Sequence, residues 1–260
     1  MHSTTHPWQR VWTRRALLAA LSLAAAGARA DLSALIDGTR PSVLPVGTYD
    51  ALGSPRFNFR GSGFIVDDGT LLVTNAHVLP EPDTSPVPQL AVLASKAGGA
   101  LEPRMATLVS VDRIHDLALL RLDGAPLPAL RLAAPGSVHE GMDIALMGFP
   151  IGGVLGYSLV THHGIVASIT SIALPSLNAH QLDARALARL REGPFPVYQL
   201  DATAYPGNSG GPLVDARTGD VIGIVNMVLV HGTRESALTN PTGITYAIPI
   251  SFVQTLIKER

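Results

Sequence analysis

The chain has 260 residues, of which 47% are hydrophobic and 15% charged, with a formal net charge of −1 and no cysteine. The absence of cysteine excludes disulfides, a thiol nucleophile and thiolate-ligated metal sites. Without residues 1–30, 15 basic residues remain against 20 acidic ones, with no basic cluster. This balance argues against nucleic acid or an anionic membrane as a partner. Stability must come from a hydrophobic core, and roughly 230 residues suffice to build one.

Residues 1–30 have the pattern of an export signal. Arginines at positions 10, 14 and 15 precede an uncharged apolar run over residues 16–28, and Ala28-Arg29-Ala30 supplies the small residues that a signal peptidase requires. Because the run is shorter than the ~20 residues of a membrane-spanning helix, we expect cleavage before Asp31 and no stable membrane insertion afterwards. An uncleaved anchor or an ordinary buried helix is the alternative.

The same segment leaves the export route open. Residues 13–18 resemble a twin-arginine signal but lack its usual phenylalanine and following lysine. Both the general secretion route and the twin-arginine route therefore remain possible, and either predicts a periplasmic or secreted protein.

Short apolar stretches rich in Val, Ile and Leu recur along the rest of the chain, separated by Gly, Pro and Asp turns. Asp67-Asp68-Gly69-Thr70 is a hairpin signal between two of them. Many short strands at this spacing predict an all-β sandwich or barrel. A closing helix is predicted where Ile250, Val253, Leu256 and Ile257 share one helical face. The predicted strands are Phe57–Val66, Leu71–Thr74, Leu90–Ala94, Met105–Val111, Leu117–Leu122, Ile144–Phe149, Gly164–Ile169, Val197–Leu200, Leu213–Val214, Val221–Leu229 and Ile244–Ile248.

The strands fall into two groups, which predict two halves of the folded chain. After an N-terminal segment at 31–56, the first half covers residues 57–132, residues 133–140 form a linker, and the second half with its closing helix covers residues 141–260. Residues 174–196 interrupt the second half and include a possible short helix, Leu182–Leu190. We interpret this insertion as a tolerated surface loop, with a regulatory loop as the alternative.

A serine flanked by glycines is the first candidate for chemistry. Ser209 lies in the run Gly207-Asn208-Ser209-Gly210-Gly211-Pro212, where glycine allows positive φ and a close approach by a substrate backbone. The backbone N–H groups of Gly207 and Ser209 are candidates for an oxyanion hole. The pattern also matches the nucleophile elbow of α/β-hydrolases. That interpretation is disfavoured because His231 is the only later histidine and the region lacks alternating strands and helices.

Histidine and aspartate candidates precede the serine. His77 follows a predicted strand, and there it could accept the hydroxyl proton of Ser209 and later donate it to a leaving amine. Asp116 opens the predicted strand Leu117–Leu122, so its carboxylate could be buried and still reach an imidazole N–H. An exposed turn formed with the neighbouring His115 is the structural alternative for Asp116.

These segments together resemble trypsin-fold serine proteases, and most closely the protease domain of the bacterial HtrA/Deg-type enzymes. The resemblance spans Gly61 to Pro249, with seven motifs in the family's order. It implies two six-stranded antiparallel β-barrels with an active site between them, His77 as base, Asp116 as orienting acid and Ser209 as nucleophile. The motifs are Gly61–Val66, Thr74–Val78, His115–Leu120, Gly164–Val166, Asp201–Ala202 with Pro206–Pro212, Ile222–Ile224 and Gly243–Pro249.

The resemblance also locates a candidate substrate pocket. In trypsin-fold enzymes the residue six positions before the serine forms the pocket floor, which here is Thr203, and Val225, Asn226 and Met227 would form the opposite wall. Because no acid is present there, we expect cleavage after a small or aliphatic residue rather than after Lys or Arg. HtrA-type enzymes usually carry C-terminal peptide-binding PDZ modules, and none is expected after the closing helix.

The sequence thus predicts an exported serine endopeptidase that acts on proteins or peptides without a metal or other cofactor. A catalytically idle member that binds peptides or serves as a scaffold is the main alternative. A hydrolase of small esters is a third possibility. The oligomeric state is not specified by any of these motifs.

Overall fold

The computed structural model describes residues 32–81, 88–96, 99–150, 152, 156–171, 193–226 and 244–260. Twelve strands and two α-helices lie in these ranges, together with 3₁₀ turns at Arg40–Ser42 and Ala76–Val78. The helices are α1 (Leu32–Thr39) and α2 (Ile250–Lys258), and the strands are β1 (Val43–Tyr49), β2 (Phe57–Val66), β3 (Leu71–Asn75), β4 (Gln89–Ser95), β5 (Leu101–Asp112), β6 (Leu117–Leu122), β7 (Asp143–Gly148), β8 (Val160–Ser171), β9 (Pro196–Asp201), β10 (Pro212–Asp215), β11 (Val221–Asn226) and β12 (Ile244–Pro249).

The strands close into two barrels of six, and every pairing within them is antiparallel. The first barrel has the order β1-β2-β3-β6-β5-β4, and the second has the order β10-β11-β12-β9-β8-β7. The predicted double-barrel fold with a closing helix is therefore confirmed. Closure satisfies the backbone groups that an open sheet would leave at its edges.

The β2–β3 hairpin forms where its turn signal predicts. Asp67 and Gly69 both adopt positive φ, +57° and +84°, and a left-handed backbone of this kind is favoured by Asp and Gly. The Asp68 carboxylate accepts hydrogen bonds from the N–H and the hydroxyl of Thr70 at 2.9 and 2.6 Å. The short polar side chain thus closes the turn and fixes the register of the two strands.

An apolar core extends across the contact between the two barrels. Phe64 and Leu117 of the first barrel belong to the same buried cluster as Met147 and Val214 of the second. The inward face of α2 covers this cluster, with Ile250, Val253 and Leu256 buried. Burial of this kind stabilises by roughly 25 cal/mol per Å² of apolar surface, so the contact holds the two barrels in a fixed relation.

The first barrel begins earlier than the sequence indicates. Its strand β1 lies inside the segment 31–56 that we placed before the barrel, and α1 packs its Leu32, Leu35 and Ile36 against the shared core. Pro45 and Gly47 obscure the strand pattern of β1. Pro45 is tolerated because the pairing of β1 with β4 starts one residue later, at Val46. Gly47 is needed because a Cβ there would overlap the carbonyl oxygen of Asn58.

Other predicted features lie outside the described residues. These are the export signal at 1–30, the possible helix Leu182–Leu190 with most of the 174–196 insertion, and the end of the predicted strand Val221–Leu229 beyond Asn226. Within the described ranges, no helix is both long and apolar enough to cross a bilayer.

Candidate active site

Ser62, on β2 of the first barrel, makes three hydrogen bonds to residues of the second half of the chain. Its backbone N–H donates to the carbonyl oxygen of Ser209 at 2.8 Å. Its fully buried hydroxyl donates to the carbonyl oxygen of Gly207 at 2.6 Å and accepts from the N–H of Phe149 at 3.0 Å. One residue of β2 therefore fixes both the turn that carries Ser209 and the end of β7.

His77 and Asp116 form a tight pair on the first barrel. Nδ1 of His77 lies 2.6 Å from Oδ2 of Asp116, and the backbone N–H of His77 donates to Oδ1 at 2.9 Å. Asp116 is buried, whereas about a quarter of the His77 side chain is exposed. Two bonds to one carboxylate fix the orientation of the ring, so that Nδ1 carries the proton and Nε2 is left as the basic nitrogen when the imidazole is neutral.

The backbone of Asp116 is also held. Its φ of +57° places it in the left-handed region, which is uncommon for residues other than glycine although aspartate tolerates it. Its carbonyl oxygen accepts from the N–H of Ala76 and from the side-chain amide of Asn75, both at 3.0 Å. Asn75 ends β3 and Asp116 precedes β6, two neighbouring strands, and this pairing places the carboxylate beneath His77.

Asn226 contributes a contact that sequence reasoning missed. We assigned it to a pocket wall, but its buried side-chain amide donates to Oδ2 of Asp116 at 2.8 Å. This bond joins the end of β11 in the second barrel to the carboxylate of the first. No local signal in the sequence could indicate it, because the two residues are 110 positions apart.

The turn that carries Ser209 packs directly against the strands that lead to His77. Gly210 adopts a φ of +85°, and a Cβ there would overlap the Ser62 carbonyl oxygen and the Thr74 hydroxyl. At Gly61 a Cβ would lie 2.7 Å from a Val78 methyl group and 2.9 Å from the Ser209 carbonyl oxygen. Only glycine permits these approaches, and they bring the Ser209 turn to the His77 segment.

The candidate oxyanion turn is fixed by its neighbours. Gly207 is buried with a φ of +105°, and the N–H of Asn208 donates to the carbonyl oxygen of Tyr205 at 3.0 Å. The N–H of Gly210 in turn donates to the carbonyl oxygen of Val225 at 3.0 Å. These bonds fix peptide units directly adjacent to those that carry the N–H groups of Gly207 and Ser209, the candidates for holding an oxyanion.

The candidate pocket floor is held by a hydroxyl that sequence reasoning also missed. Thr203 is half-buried, and Thr245 of β12 bonds the residues on both sides of it. The Thr245 hydroxyl donates to the carbonyl oxygen of Ala202 at 2.7 Å and accepts from the N–H of Ala204 at 3.1 Å. Val225 is fully buried, and Met227 lies outside the described residues.

A histidine packs beside Tyr205, two residues before Gly207 of the candidate oxyanion turn. The ring of His162 on β8 is 5.8 Å from the ring of Tyr205, and its Nε2 is buried with no partner among the described residues. Burial lowers the pKa of His162 below 6.5, because removal from water disfavours the charged form. In the part of the chain described here, no three His, Asp or Glu side chains gather as a metal ion would require.

Two closed barrels that meet at such a seam are the architecture of the trypsin-like peptidases. The chain belongs to this family, since the model of the trypsin-like peptidase domain matches residues 61–224. The matched range contains His77, Asp116 and Ser209.

Curated relatives place the chain near the HtrA-type proteases. It is 31% identical over 206 residues to the mitochondrial serine protease HTRA2 of Drosophila willistoni, covering 79% of this chain and 39% of that protein. It is also 31% identical over 190 residues to a probable periplasmic serine endoprotease, DegP-like, of Pseudomonas fluorescens, covering 73% of this chain and 32% of that protein. The chain thus spans about a third to two fifths of the length of these relatives.

Solved structures agree with this placement. Deg5 superposes with a TM-score of 0.61 at 25% identity, covering 86% of this chain and 90% of that one. The HtrA-type protease AlgW, solved as a serine-to-alanine variant with a tripeptide, superposes with a TM-score of 0.62 at 24% identity, covering 88% of this chain and 62% of that one. The resemblance to HtrA-type proteases that the sequence motifs indicate is therefore confirmed.

Proposed function

We propose that the protein is a serine endopeptidase that hydrolyses peptide bonds through Ser209, His77 and Asp116. The observation that carries this proposal is the Nδ1–Oδ2 contact of 2.6 Å between His77 and Asp116, beside a serine turn packed into the same seam. A buried carboxylate that fixes the imidazole tautomer is the arrangement that makes histidine an efficient general base toward a hydroxyl.

In the first half of the reaction, Oγ of Ser209 bonds to the substrate carbonyl carbon while its proton passes to Nε2 of His77. The electron pair of the carbonyl moves onto its oxygen, which the N–H groups of Gly207 and Ser209 would stabilise. Collapse of this intermediate breaks the C–N bond, and His77 returns its proton to the leaving amine. Asp116 stays ionised throughout and stabilises the imidazolium.

In the second half, a water molecule takes the place of the serine hydroxyl. His77 removes a proton from the water as the water oxygen bonds to the acyl carbon. The acyl–Oγ bond then breaks as His77 returns that proton to Oγ of Ser209. The products are a carboxylic acid and regenerated Ser209, so the cycle needs no cofactor. Each step uses the same base and the same oxyanion donors.

We propose that the pocket beside Thr203 favours a small or aliphatic residue before the scissile bond. The described walls supply no carboxylate, since Val225 is apolar and the amide of Asn226 is engaged by Asp116. The relative AlgW was solved with a tripeptide, which supports peptides or proteins as substrates here. Mapping the bonds cut in a denatured protein tests the preference, and consistent cutting after Lys or Arg would contradict it.

We propose that the protein acts in the periplasm or outside the cell, because residues 1–30 have the sequence pattern of an export signal. Mass spectrometry of the mature N-terminus tests this, with cleavage before Asp31 expected. A chain that retains residues 1–30 in the cytoplasm would contradict it.

Labelling by a serine-reactive fluorophosphonate tests the catalytic proposal without knowledge of the natural substrate. We expect the wild type to label, and the variants Ser209→Ala and His77→Ala to lose labelling while staying folded by circular dichroism. Peptide-library turnover should exceed turnover of short esters in the same preparation. A folded wild type that never labels, with or without peptide, would favour the idle peptide-binding alternative instead.

A further inference from the structure

A second histidine–aspartate pair lies immediately before Asp116. Nδ1 of His115 is 2.6 Å from Oδ2 of Asp112, and Oδ1 of Asp112 accepts from the backbone N–H groups of Ile114 and His115 at 2.9 and 3.0 Å. Both side chains are mostly buried, with exposed fractions of 17% for His115 and 24% for Asp112. The turn between β5 and β6 is thus closed by a pair of side chains that are both largely removed from water.

The ring of His115 also joins the two barrels. It stacks on Phe252 of α2 with ring centroids 3.9 Å apart and an interplanar angle of 22°, and it meets the edge of Phe195 at 4.8 Å. Phe195 directly precedes β9, and the two phenylalanines contact each other at 5.8 Å. The turn before Asp116 is therefore fastened to the second barrel and the closing helix through one imidazole.

Asp116 needs such support because of its backbone conformation. A left-handed φ is uncommon in residues other than glycine, and even in aspartate, which tolerates it better than most, it persists only when the surroundings determine it. On its C-terminal side Asp116 is held by β6, where Leu117 pairs with Asn75 and with Asp112. On its N-terminal side the contacts of His115 with Asp112, Phe195 and Phe252 provide the corresponding support.

We propose that His115 and Asp112 form a positioning pair that holds Asp116 in its left-handed conformation and so keeps its carboxylate aligned with His77. Neither residue touches substrate, and both act through Asp116. The effect on catalysis rests on the proposed hydrolytic function, whereas the alignment of Asp116 with His77 does not.

The ionised state of the Asp112 carboxylate supports this positioning role. Burial alone would raise the pKa of Asp112, but the hydrogen bonds from the His115 ring and backbone outweigh it, and the pKa is lowered from its ordinary 3.8. Asp112 is therefore ionised throughout the neutral range, where it can accept all three hydrogen bonds at once. The pair is held by an ionic hydrogen bond rather than by weaker neutral contacts.

A spectroscopic test separates alignment from general stability. The proton on Nδ1 of His77 that bonds Asp116 gives its own far-downfield NMR resonance, which we would record in a Ser209→Ala background so that it does not depend on hydrolysis. The test variant is His115→Ala. The control is His163→Ala, which removes an exposed histidine lying 3.9 Å from Asp143. We expect His115→Ala to shift or broaden the resonance and His163→Ala to leave it unchanged.

The effect of the pair on catalysis is measured as the rate of fluorophosphonate labelling in variants that keep Ser209. We expect His115→Ala to slow fluorophosphonate labelling by roughly tenfold or more, since small misplacements of catalytic groups are costly, and His115→Asn, which can still donate to Asp112, to lie between it and the wild type. Labelling of His115→Ala within twofold of the wild type, or an unmoved His77 resonance, would overturn the proposal.

If the wild type fails to label, the proposed hydrolytic function is contradicted, and the His77 resonance alone then tests whether His115 aligns Asp116. If His115→Ala does not fold, the same criteria apply to Phe252→Leu, which removes the ring that stacks on His115.

Discussion

The side-chain amide of Asn226 donates to Oδ2 of Asp116, the same oxygen that lies 2.6 Å from Nδ1 of His77. The other oxygen, Oδ1, accepts from the backbone N–H of His77. The carboxylate is thus held by one residue of its own barrel and one of the other. Relative movement of the barrels would disturb this carboxylate directly, so the architecture and the proposed chemistry depend on each other.

Removal of the Asn226 amide should weaken both stability and reactivity. Asn226→Ala deletes a hydrogen bond to a buried carboxylate, which is typically worth about 1.5–3 kcal/mol. We expect the free energy of unfolding to fall by about 2 kcal/mol in urea denaturation and fluorophosphonate labelling to slow. Asn58→Ala, which removes an exposed asparagine on β2, should change neither. Equal behaviour of the two variants would contradict the assigned contact.

A methyl group at Gly210 should not be accommodated. Gly210 and Gly136 both have positive φ, +85° and +77°, but a Cβ at Gly210 would overlap Ser62 and Thr74, whereas one at Gly136 meets nothing within 4 Å. We expect Gly136→Ala to cost about 1 kcal/mol from backbone strain alone. Gly210→Ala should cost about 3 kcal/mol or more and abolish labelling. Thermal unfolding compares the two, and similar costs would argue against the tight seam.

The hydroxyl of Ser62 should matter for both stability and reactivity. Ser62→Ala leaves the carbonyl of Gly207 and the N–H of Phe149 without their partner, and each such buried group costs about 1–3 kcal/mol. We expect lower stability together with slower labelling, because the oxyanion turn loses an anchor. Ser137→Ala at an exposed position provides the control. Loss of stability with an unchanged labelling rate would show that the turn keeps its shape without Ser62.

We expect the protein to be less stable at low pH because the pKa of His162 is lowered in the folded state. Because burial lowers its folded pKa below the unfolded value of 6.5, the unfolded state binds more protons between these two pKa values, and stability falls as the pH drops through that window. His162→Phe should remove this part of the pH dependence. Urea unfolding from about pH 7.5 to about pH 5 measures it, with the exposed His139→Gln as control. A parallel decline in both variants would contradict the assignment.

Most strands were predictable because they are short, largely apolar stretches bounded by Gly, Pro and Asp turns. Phe57–Val66 and Leu117–Leu122 have the bounds the sequence indicates, and α2 begins at Ile250, the first residue of the predicted apolar face. Strand β1 was not predicted, since Pro45 and Gly47 interrupt its pattern. Their acceptability depends on where β4 starts to pair and on a close approach to Asn58, both of which are properties of the closed barrel.

The sequence by itself determined the strand periodicity, the closing helix, the family and the three candidate catalytic residues, because these follow from local patterns of apolar and small residues. Only the tertiary structure decided that Asn226 faces Asp116, that Ser62 anchors the oxyanion turn and that His115 connects Asp116 to Phe252. These contacts join residues that are far apart along the chain, by 110 positions for the first and 145 for the second. They arise from barrel closure and packing, for which no local residue pattern carries information.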